Sequence, residues 1–162
     1  MKLYFLRHAT ASDTATSDEK RELTKEGKEE ARVAGAALAE LGVKPAHIFS
    51  SPFVRARQTA EIAAKELTSS AVVEVLNELT NGTSTAALLK ALKPCGDANE
   101  LLLVGHMPSL AEHIAVLIGA ESAPGLPLGK GSIACVGLEH LRAGTGALRW
   151  SMHQKQLVKI AR

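Results

Sequence analysis

Five polar residues with side chains suited to phosphate chemistry are spread widely along the chain: Arg7, His8, Arg55, Glu78 and His106. The guanidinium groups of arginine are permanently charged, and their paired N–H donors match the oxygens of a phosphate. A neutral imidazole can attack phosphorus, and a second imidazole can donate a hydrogen bond to the charged oxygens. A carboxylic acid can protonate a leaving group and then activate water. These groups can act together only if the fold brings them to one place.

Short strands alternate with helices in the elements that the sequence predicts. Apolar runs predict strands at 2–6, 47–51, 71–76, 100–105, 132–140 and 146–153. Periodic apolar positions and capping residues predict helices within 23–43, 51–67, 83–92 and 106–119. We expect Thr24 to cap the first helix, and Ser51 and Pro52 to begin the second.

This order of elements predicts an α/β fold, with residues 1–162 forming a single domain. Strands that alternate with helices favour a mostly parallel sheet covered by helices on both faces, which is a three-layer α/β/α sandwich. The last two predicted strands follow each other without a helix, and we expect them to add an antiparallel edge to the sheet.

The ends of the predicted strands bring the five polar residues together. In an open α/β sheet, ligands bind outside the carboxyl ends of the strands. In chain order, the residues that follow the first four strands are Arg7 with His8, then Arg55 about one helical turn in, then Glu78, then His106. The helix N-termini at this edge would also attract an anion. Because the arginines supply the positive charge, we expect the site to need no metal and no cofactor.

The composition argues against several other classes of protein. A net charge of +2 and an aromatic content of 3% give little support for binding nucleic acid or a membrane surface. Cys95 and Cys135 are far apart in the chain, which fits a reducing compartment better than a disulfide framework or a zinc site. The N-terminal apolar run ends at Arg7 and is too short for a signal peptide or a membrane span. We therefore expect a cytoplasmic protein.

Four segments of the chain resemble those of the histidine phosphatase superfamily, also called the phosphoglycerate mutase-like fold. In chain order they read LRHAT, SSPFVRARQT, LNELTNG and VGHMP. Within that superfamily, the short chain and the segment RELTKEG at 21–27 resemble the SixA-type phosphohistidine phosphatase branch. The resemblance extends from Met1 to about His153, so it covers nearly the whole chain.

The resemblance implies a metal-independent phosphatase with a role for each of the five residues. His8 would be the nucleophile that becomes phosphorylated, and Arg7, Arg55 and His106 would form the phosphate pocket around it. Glu78 matches the position where mutase-like relatives keep their proton donor. The implied partner is a phosphohistidine-bearing protein, such as a phosphotransfer domain or a phosphotransferase-system carrier.

The sequence departs from the family pattern at two places. The usual Arg-His-Gly of the family reads Arg-His-Ala here, and Ala9 fits if its φ is negative. The loop TASDTATSD does not repeat the Ser and Asn that the mutases place after Arg-His-Gly.

The stretch GLPLGKGS lacks the spacing of a phosphate loop, and we interpret it as a loop before a strand. The remaining histidines are expected to be structural or surface residues, although His153 could approach the pocket rim: His47, His113, His140 and His153.

Phosphohistidine on a protein is the substrate that the sequence favours. No segment between Arg55 and His106 is long enough to form a large lid, so the pocket would stay open to a bulky partner. Imidazole, with a pKa near ~6.5, also leaves far more readily than an alkoxide. Two alternatives stay open: a small-molecule or general phosphomonoesterase of the same superfamily, and a phosphate-binding module without turnover.

Overall fold

A computed structural model describes residues 1–162 and contains one six-stranded sheet. The strands are β1 Lys2–Arg7, β2 His47–Ser50, β3 Val73–Val75, β4 Glu100–Gly105, β5 Ile133–Leu138 and β6 Gly146–Met152. The helices are α1 Lys25–Glu40, α2 Val54–Glu66, α3 Thr85–Leu92, α4 Ser109–Ile118 and α5 Gln154–Ile160. Short 3₁₀ turns lie at Asp18–Lys20, Asn77–Leu79 and Lys93–Cys95.

The sheet has the strand order β3-β2-β4-β1-β5-β6, and its first four strands are parallel. β5 runs antiparallel to β1 and to the edge strand β6. The predicted mostly parallel sheet with an antiparallel addition is therefore confirmed. In the pairing of β1 with β4, Arg7 stands opposite Gly105, so His8 and His106 leave the sheet side by side.

Helices cover both faces of the sheet, as predicted. On one face α1, α2 and α5 enclose a core of 18 buried residues that includes Leu38, Ile48 and Leu102. On the other face α3 and α4 enclose a core of 15 buried residues that includes Leu88 and Leu103. Burial of these aliphatic side chains supplies the main driving force for the fold. None of the helices is long and apolar enough to cross a membrane.

The start of one helix and the presence of another differ from the sequence prediction. α2 begins at Val54, with Phe53 as an extended N-cap residue, so Ser51 does not cap it. Helix α5 was not expected, because only Leu157 within it is buried and its apolar pattern is weak. Its position comes from tertiary contacts: the Gln154 side chain donates hydrogen bonds to the carbonyl oxygens of Glu30, at 3.0 Å, and Gly131, at 2.7 Å.

Candidate active site

His8 lies at the carboxyl end of β1 and is held in one tautomer by the backbone carbonyl group of the next residue, Ala9. Its Nδ1 lies 2.8 Å from the Ala9 carbonyl oxygen, which can only accept a hydrogen bond, so Nδ1 carries the proton. Nε2 is therefore unprotonated, and its lone pair accepts a hydrogen bond from the Nε–H of Arg55 at 3.4 Å. His8 is thereby oriented with an unprotonated nitrogen toward a cationic donor.

The segment after His8 is anchored from two sides. The Ala9 amide donates to the buried Thr59 hydroxyl at 3.1 Å, and that hydroxyl donates to the Arg55 carbonyl oxygen at 2.7 Å. Ala9 is fully buried and its φ is not positive, which agrees with the expectation that alanine fits in place of glycine. On the far side, Gly27 of α1 packs so closely that a Cβ there would overlap the Thr10 carbonyl oxygen.

His106 faces His8 from the end of β4, with the two ring centroids 5.0 Å apart. Its Nε2 lies 2.6 Å from the hydroxyl oxygen of Ser51, which is fully buried at the end of β2. The Phe53 ring packs edge-on against His106 at 4.9 Å. Ser51 therefore orients His106, a contact between two strand ends that the sequence prediction missed.

Arg55 reaches the site from the first turn of α2 and is almost fully buried. While its Nε points to His8, its Nη1 donates to the Asp18 carbonyl oxygen at 2.7 Å and its Nη2 pairs with the Asp18 carboxylate at 3.2 Å. The guanidinium also lies over the Phe53 ring, 5.0 Å from its centroid. These contacts hold the side chain in one orientation.

Arg7 is also held in one orientation, by a hydrogen bond to a backbone carbonyl oxygen. Its Nη1 donates to the Leu128 carbonyl oxygen at 2.8 Å, so the loop before β5 positions the guanidinium. Its Nε is buried and has no hydrogen-bond partner. A buried cationic donor without a partner is costly, and an anion bound at this edge would satisfy it.

The predicted site residues therefore fall into two groups. The structure brings together Arg7, His8, Arg55 and His106 at the carboxyl edge of the sheet. Glu78 lies on the 3₁₀ turn after β3, and the Leu79 carbonyl oxygen on that turn lies close to Gly105. The Glu78 side chain is half-buried and forms no hydrogen bond with the other four.

The electrostatics of this edge favour an anion and a neutral His8. Burial, together with the nearby positive charges, lowers the pKa of His8 to about 3, although the hydrogen bond to Ala9 opposes this shift. Burial and the nearby arginines also lower the pKa of His106 to about 4. Both imidazoles are therefore neutral near pH 7, while the two arginines keep their charge.

The structure predicts that the protein loses stability as the pH falls from 7 to 4. His113, buried on α4 with its Nδ1 2.9 Å from the Thr85 hydroxyl, also has its pKa lowered to about 4 by burial. Below an unfolded-state pKa of ~6.5, the unfolded chain binds protons that the folded chain excludes at His8, His106 and His113, so the free energy of unfolding decreases. We expect the loss of Tm between pH 7 and pH 5 to be smaller in His113→Gln than in the wild type. Thermal melts would measure it.

The exposed residue His140 provides the control for this measurement. The variant His140→Gln should show the same dependence of Tm on pH as the wild type. If His113→Gln also showed the wild-type dependence, the buried neutral state of His113 would be contradicted.

Comparisons with known proteins agree with this geometry. The sequence profile of the histidine phosphatase superfamily (branch 1) matches residues 3–87. The phosphohistidine phosphatase SixA of Escherichia coli K12 is 33% identical over 155 residues, which cover 94% of this chain and 93% of that protein. An uncharacterised protein of Picosynechococcus is 36% identical over 158 residues, which cover 94% of this chain and 90% of that protein.

A solved structure extends the similarity to the fold. The structure of the protein histidine phosphatase SixA complexed with tungstate superposes with a TM-score of 0.88 and 30% sequence identity. The match covers 97% of this chain and 99% of that one. A sheet with this strand order, an Arg-His pair at the end of its central strand, and these matches together show that the chain belongs to the histidine phosphatase superfamily.

Proposed function

We propose that this phosphatase removes phosphate from phosphohistidine on a protein, through a phosphohistidine intermediate on His8. The observation that carries the proposal is the arrangement at His8 Nε2. Nε2 is unprotonated, because Nδ1 carries the proton that bonds to the Ala9 carbonyl oxygen, and Nε2 accepts a hydrogen bond from Arg55 Nε at 3.4 Å. The relative SixA, a phosphohistidine phosphatase by name, supports the choice of substrate.

The first step transfers the phosphoryl group from the substrate to His8. Nε2 attacks phosphorus, the P–N bond of the substrate breaks, and its electron pair returns to the leaving imidazole. Arg7, Arg55 and His106 donate hydrogen bonds to the phosphoryl oxygens and stabilise the charge spread over them. In the second step a water attacks phosphorus, Nε2 leaves with the bonding pair, and inorganic phosphate is released.

Ser51 has a positioning role in this scheme. A neutral His106 can donate from only one ring nitrogen. The Ser51 hydroxyl lies 2.6 Å from Nε2, and we propose that it donates to that nitrogen, which places the proton of His106 on Nδ1. The hydroxyl would thereby fix the tautomer of His106.

Glu78 is proposed as a proton donor that matters only for poor leaving groups. An imidazole, with a pKa near ~6.5, leaves readily, whereas an alkoxide must be protonated as it leaves. We therefore expect Glu78→Gln to lower kcat/KM by less than about 3-fold on phosphohistidine and by about 10²-fold or more on an alkyl phosphate. Steady-state kinetics with both substrates would measure this, and equal losses on both would contradict the argument.

A protein substrate also fits the chain between α2 and α4. This part forms only β3, α3, β4 and two 3₁₀ turns, without a long insertion that could cover the site. The partner we propose is a phosphotransfer domain or a phosphotransferase-system carrier, because each presents a phosphohistidine on a folded surface.

A substrate panel tests the proposal. The kcat/KM of the wild type would be measured on a phosphorylated phosphotransfer domain, a phosphorylated carrier protein, phosphoserine and p-nitrophenyl phosphate. We expect one of the phosphohistidine proteins to exceed phosphoserine by at least about 10²-fold, because of the better leaving group. A preference for phosphoserine would favour a phosphomonoesterase instead. Tight phosphate binding without turnover of any substrate would favour a binding module.

A further inference from the structure

Asp18 lies over the candidate active site on the 3₁₀ turn Asp18–Lys20, within the loop that follows β1. Its carboxylate bridges two arginines: Oδ2 lies 3.2 Å from Arg55 Nη2, and Oδ1 lies 3.0 Å from Arg21 Nη1. Arg21 is tied back to the same loop, since its Nε donates to the Ser12 carbonyl oxygen at 2.7 Å. The carboxylate is therefore held at a defined position, although its side chain is 60% exposed.

This carboxylate lies on the solvent-exposed side of Arg55, because its side chain is 60% exposed whereas that of Arg55 is 8% exposed. The Arg55 guanidinium lies between His8 and Asp18, with its Nε toward His8 Nε2 and its Nη2 toward the Asp18 carboxylate. The negative charge of Asp18 also acts electrostatically on the candidate site, because it tends to raise the pKa of His106. Hydrogen bonds from Arg21 and then Arg55 lower the pKa of Asp18 itself, so the carboxylate is ionised near neutral pH.

A fixed negative charge at the rim of a phosphate pocket needs an explanation. It weakens the attraction of Arg55 for the dianion, and it repels any substrate that carries a second negative charge. The same carboxylate orients Arg55, and it would also favour a substrate that presents a positive charge or a strong N–H donor beside the phosphoryl group. A phosphorylated imidazole does so, because its second ring nitrogen can bind a proton near neutral pH.

We propose that Asp18 is a specificity-determining residue that accepts a hydrogen bond from the second ring nitrogen of the substrate phosphohistidine. This inference rests on the proposed function. The bond stabilises the ring as a cation before the P–N bond breaks. His8 Nε2 then forms the new bond to phosphorus, and the electron pair of the old P–N bond neutralises the leaving imidazolium. The proton stays on the second nitrogen, so the step needs no other acid.

The same carboxylate disfavours phosphomonoesters with anionic groups. The carboxylate of phosphoserine would lie near Asp18, and two carboxylates brought close together repel. p-Nitrophenyl phosphate carries no such group and no imidazole, so Asp18 can affect its turnover only through Arg55.

The test compares the wild type with Asp18→Asn on three substrates. Asparagine keeps the backbone contact with Arg55 and an amide oxygen that can accept from its Nη2, while removing the charge. On a phosphorylated phosphotransfer domain or carrier, whichever the wild type uses, we expect kcat/KM to fall about 10- to 100-fold, the usual effect of losing a hydrogen bond to a charged group. On p-nitrophenyl phosphate we expect no comparable loss, and on phosphoserine an increase.

Asp13→Asn is the matched control. Asp13 lies in the same loop and pairs with Arg21 at 3.4 Å, but its side chain is 99% exposed and it has no contact with Arg55. This variant should match the wild type on all three substrates, which would separate the position of Asp18 from the general charge of the loop.

Three outcomes would overturn the inference. Equal losses on phosphohistidine and p-nitrophenyl phosphate would show that Asp18 only positions Arg55. Unchanged activity on phosphohistidine would show that the carboxylate does not contact the substrate, while leaving the proposed function intact. A wild type that turns over p-nitrophenyl phosphate but no phosphohistidine protein would overturn the proposed function together with this inference.

Discussion

Replacement of His8 by alanine is expected to lower kcat/KM on a phosphohistidine protein by at least about 10³-fold, because no other group in the site can form the covalent intermediate. His8 Nε2 is unprotonated and accepts a hydrogen bond from Arg55 Nε, whereas His106 Nε2 is engaged with the Ser51 hydroxyl. Phosphate release, measured for wild type and variant in parallel, would show the loss.

A fold check accompanies this variant. Because His8 is buried, its Tm should be measured beside that of the wild type, and the activities compared well below both values. The variant His47→Ala, at a histidine 41% exposed in its side chain, should keep wild-type activity. Activity of His8→Ala within about 10-fold of the wild type would contradict the nucleophilic role of His8.

Replacement of Arg55 is expected to have the second largest effect. Arg55→Ala removes the donor that faces His8 Nε2, and losing one such donor to a charged transition state costs about 10²- to 10³-fold in kcat. Arg55→Lys should lose nearly as much, since lysine keeps the charge but cannot contact Asp18 and the phosphoryl group at the same time through a planar fork. Steady-state kinetics on a phosphohistidine protein would measure both variants.

Arg57 provides the control on the same helix. Its side chain is 50% exposed and pairs only loosely with Glu61, at 3.9 Å. Exposed pairs of this kind contribute little, so Arg57→Ala should stay within about 2-fold of the wild type. A similar loss in Arg57→Ala and Arg55→Ala would indicate a general effect on α2 rather than a role of Arg55 at the phosphate.

The strands that position the candidate site could be predicted because a strand buried on both faces has a continuous apolar sequence. β4 has the predicted bounds, since Glu100–Gly105 is a continuous apolar run after its first residue and is buried on both faces. The prediction that polar residues meet at the carboxyl edge follows from parallel strands alone, and it placed His8 beside His106 correctly. Thr24 caps α1 as expected, because its side chain accepts from the Gly27 amide locally.

The features that sequence reasoning missed depend on contacts distant in the chain. Ser51 has the residue type of a helix cap, but its hydroxyl instead meets His106, 55 residues away. Asp18 is one of several acidic residues in a polar loop without periodicity, and only its contact with Arg55, 37 residues away, distinguishes it. Helix α5 is short, and its anchor Gln154 bonds to backbone carbonyls that no local pattern reveals.

The structure also explains why the loop before β5 matters without being a phosphate loop. The stretch GLPLGKGS is a loop, as expected from its spacing. It contributes the Leu128 carbonyl oxygen that fixes Arg7, and the Gly131 amide that donates to the Arg7 carbonyl oxygen at 3.1 Å. The loop thereby holds the Arg7 side chain, which we propose binds the phosphate, and backbone carbonyl positions of this kind leave no trace in residue types.

The most direct test of the account is detection of a covalent phosphate on His8 during turnover. Wild-type protein would be mixed with a phosphohistidine protein, quenched in alkaline denaturant to preserve the acid-labile P–N bond, and analysed by mass spectrometry of its peptides. We expect one phosphate on the peptide that contains His8. This phosphate should form and decay at rates that explain phosphate release, and it should be absent in His8→Ala. Full release of phosphate without a covalent intermediate, or with the phosphate on another residue, would contradict this expectation.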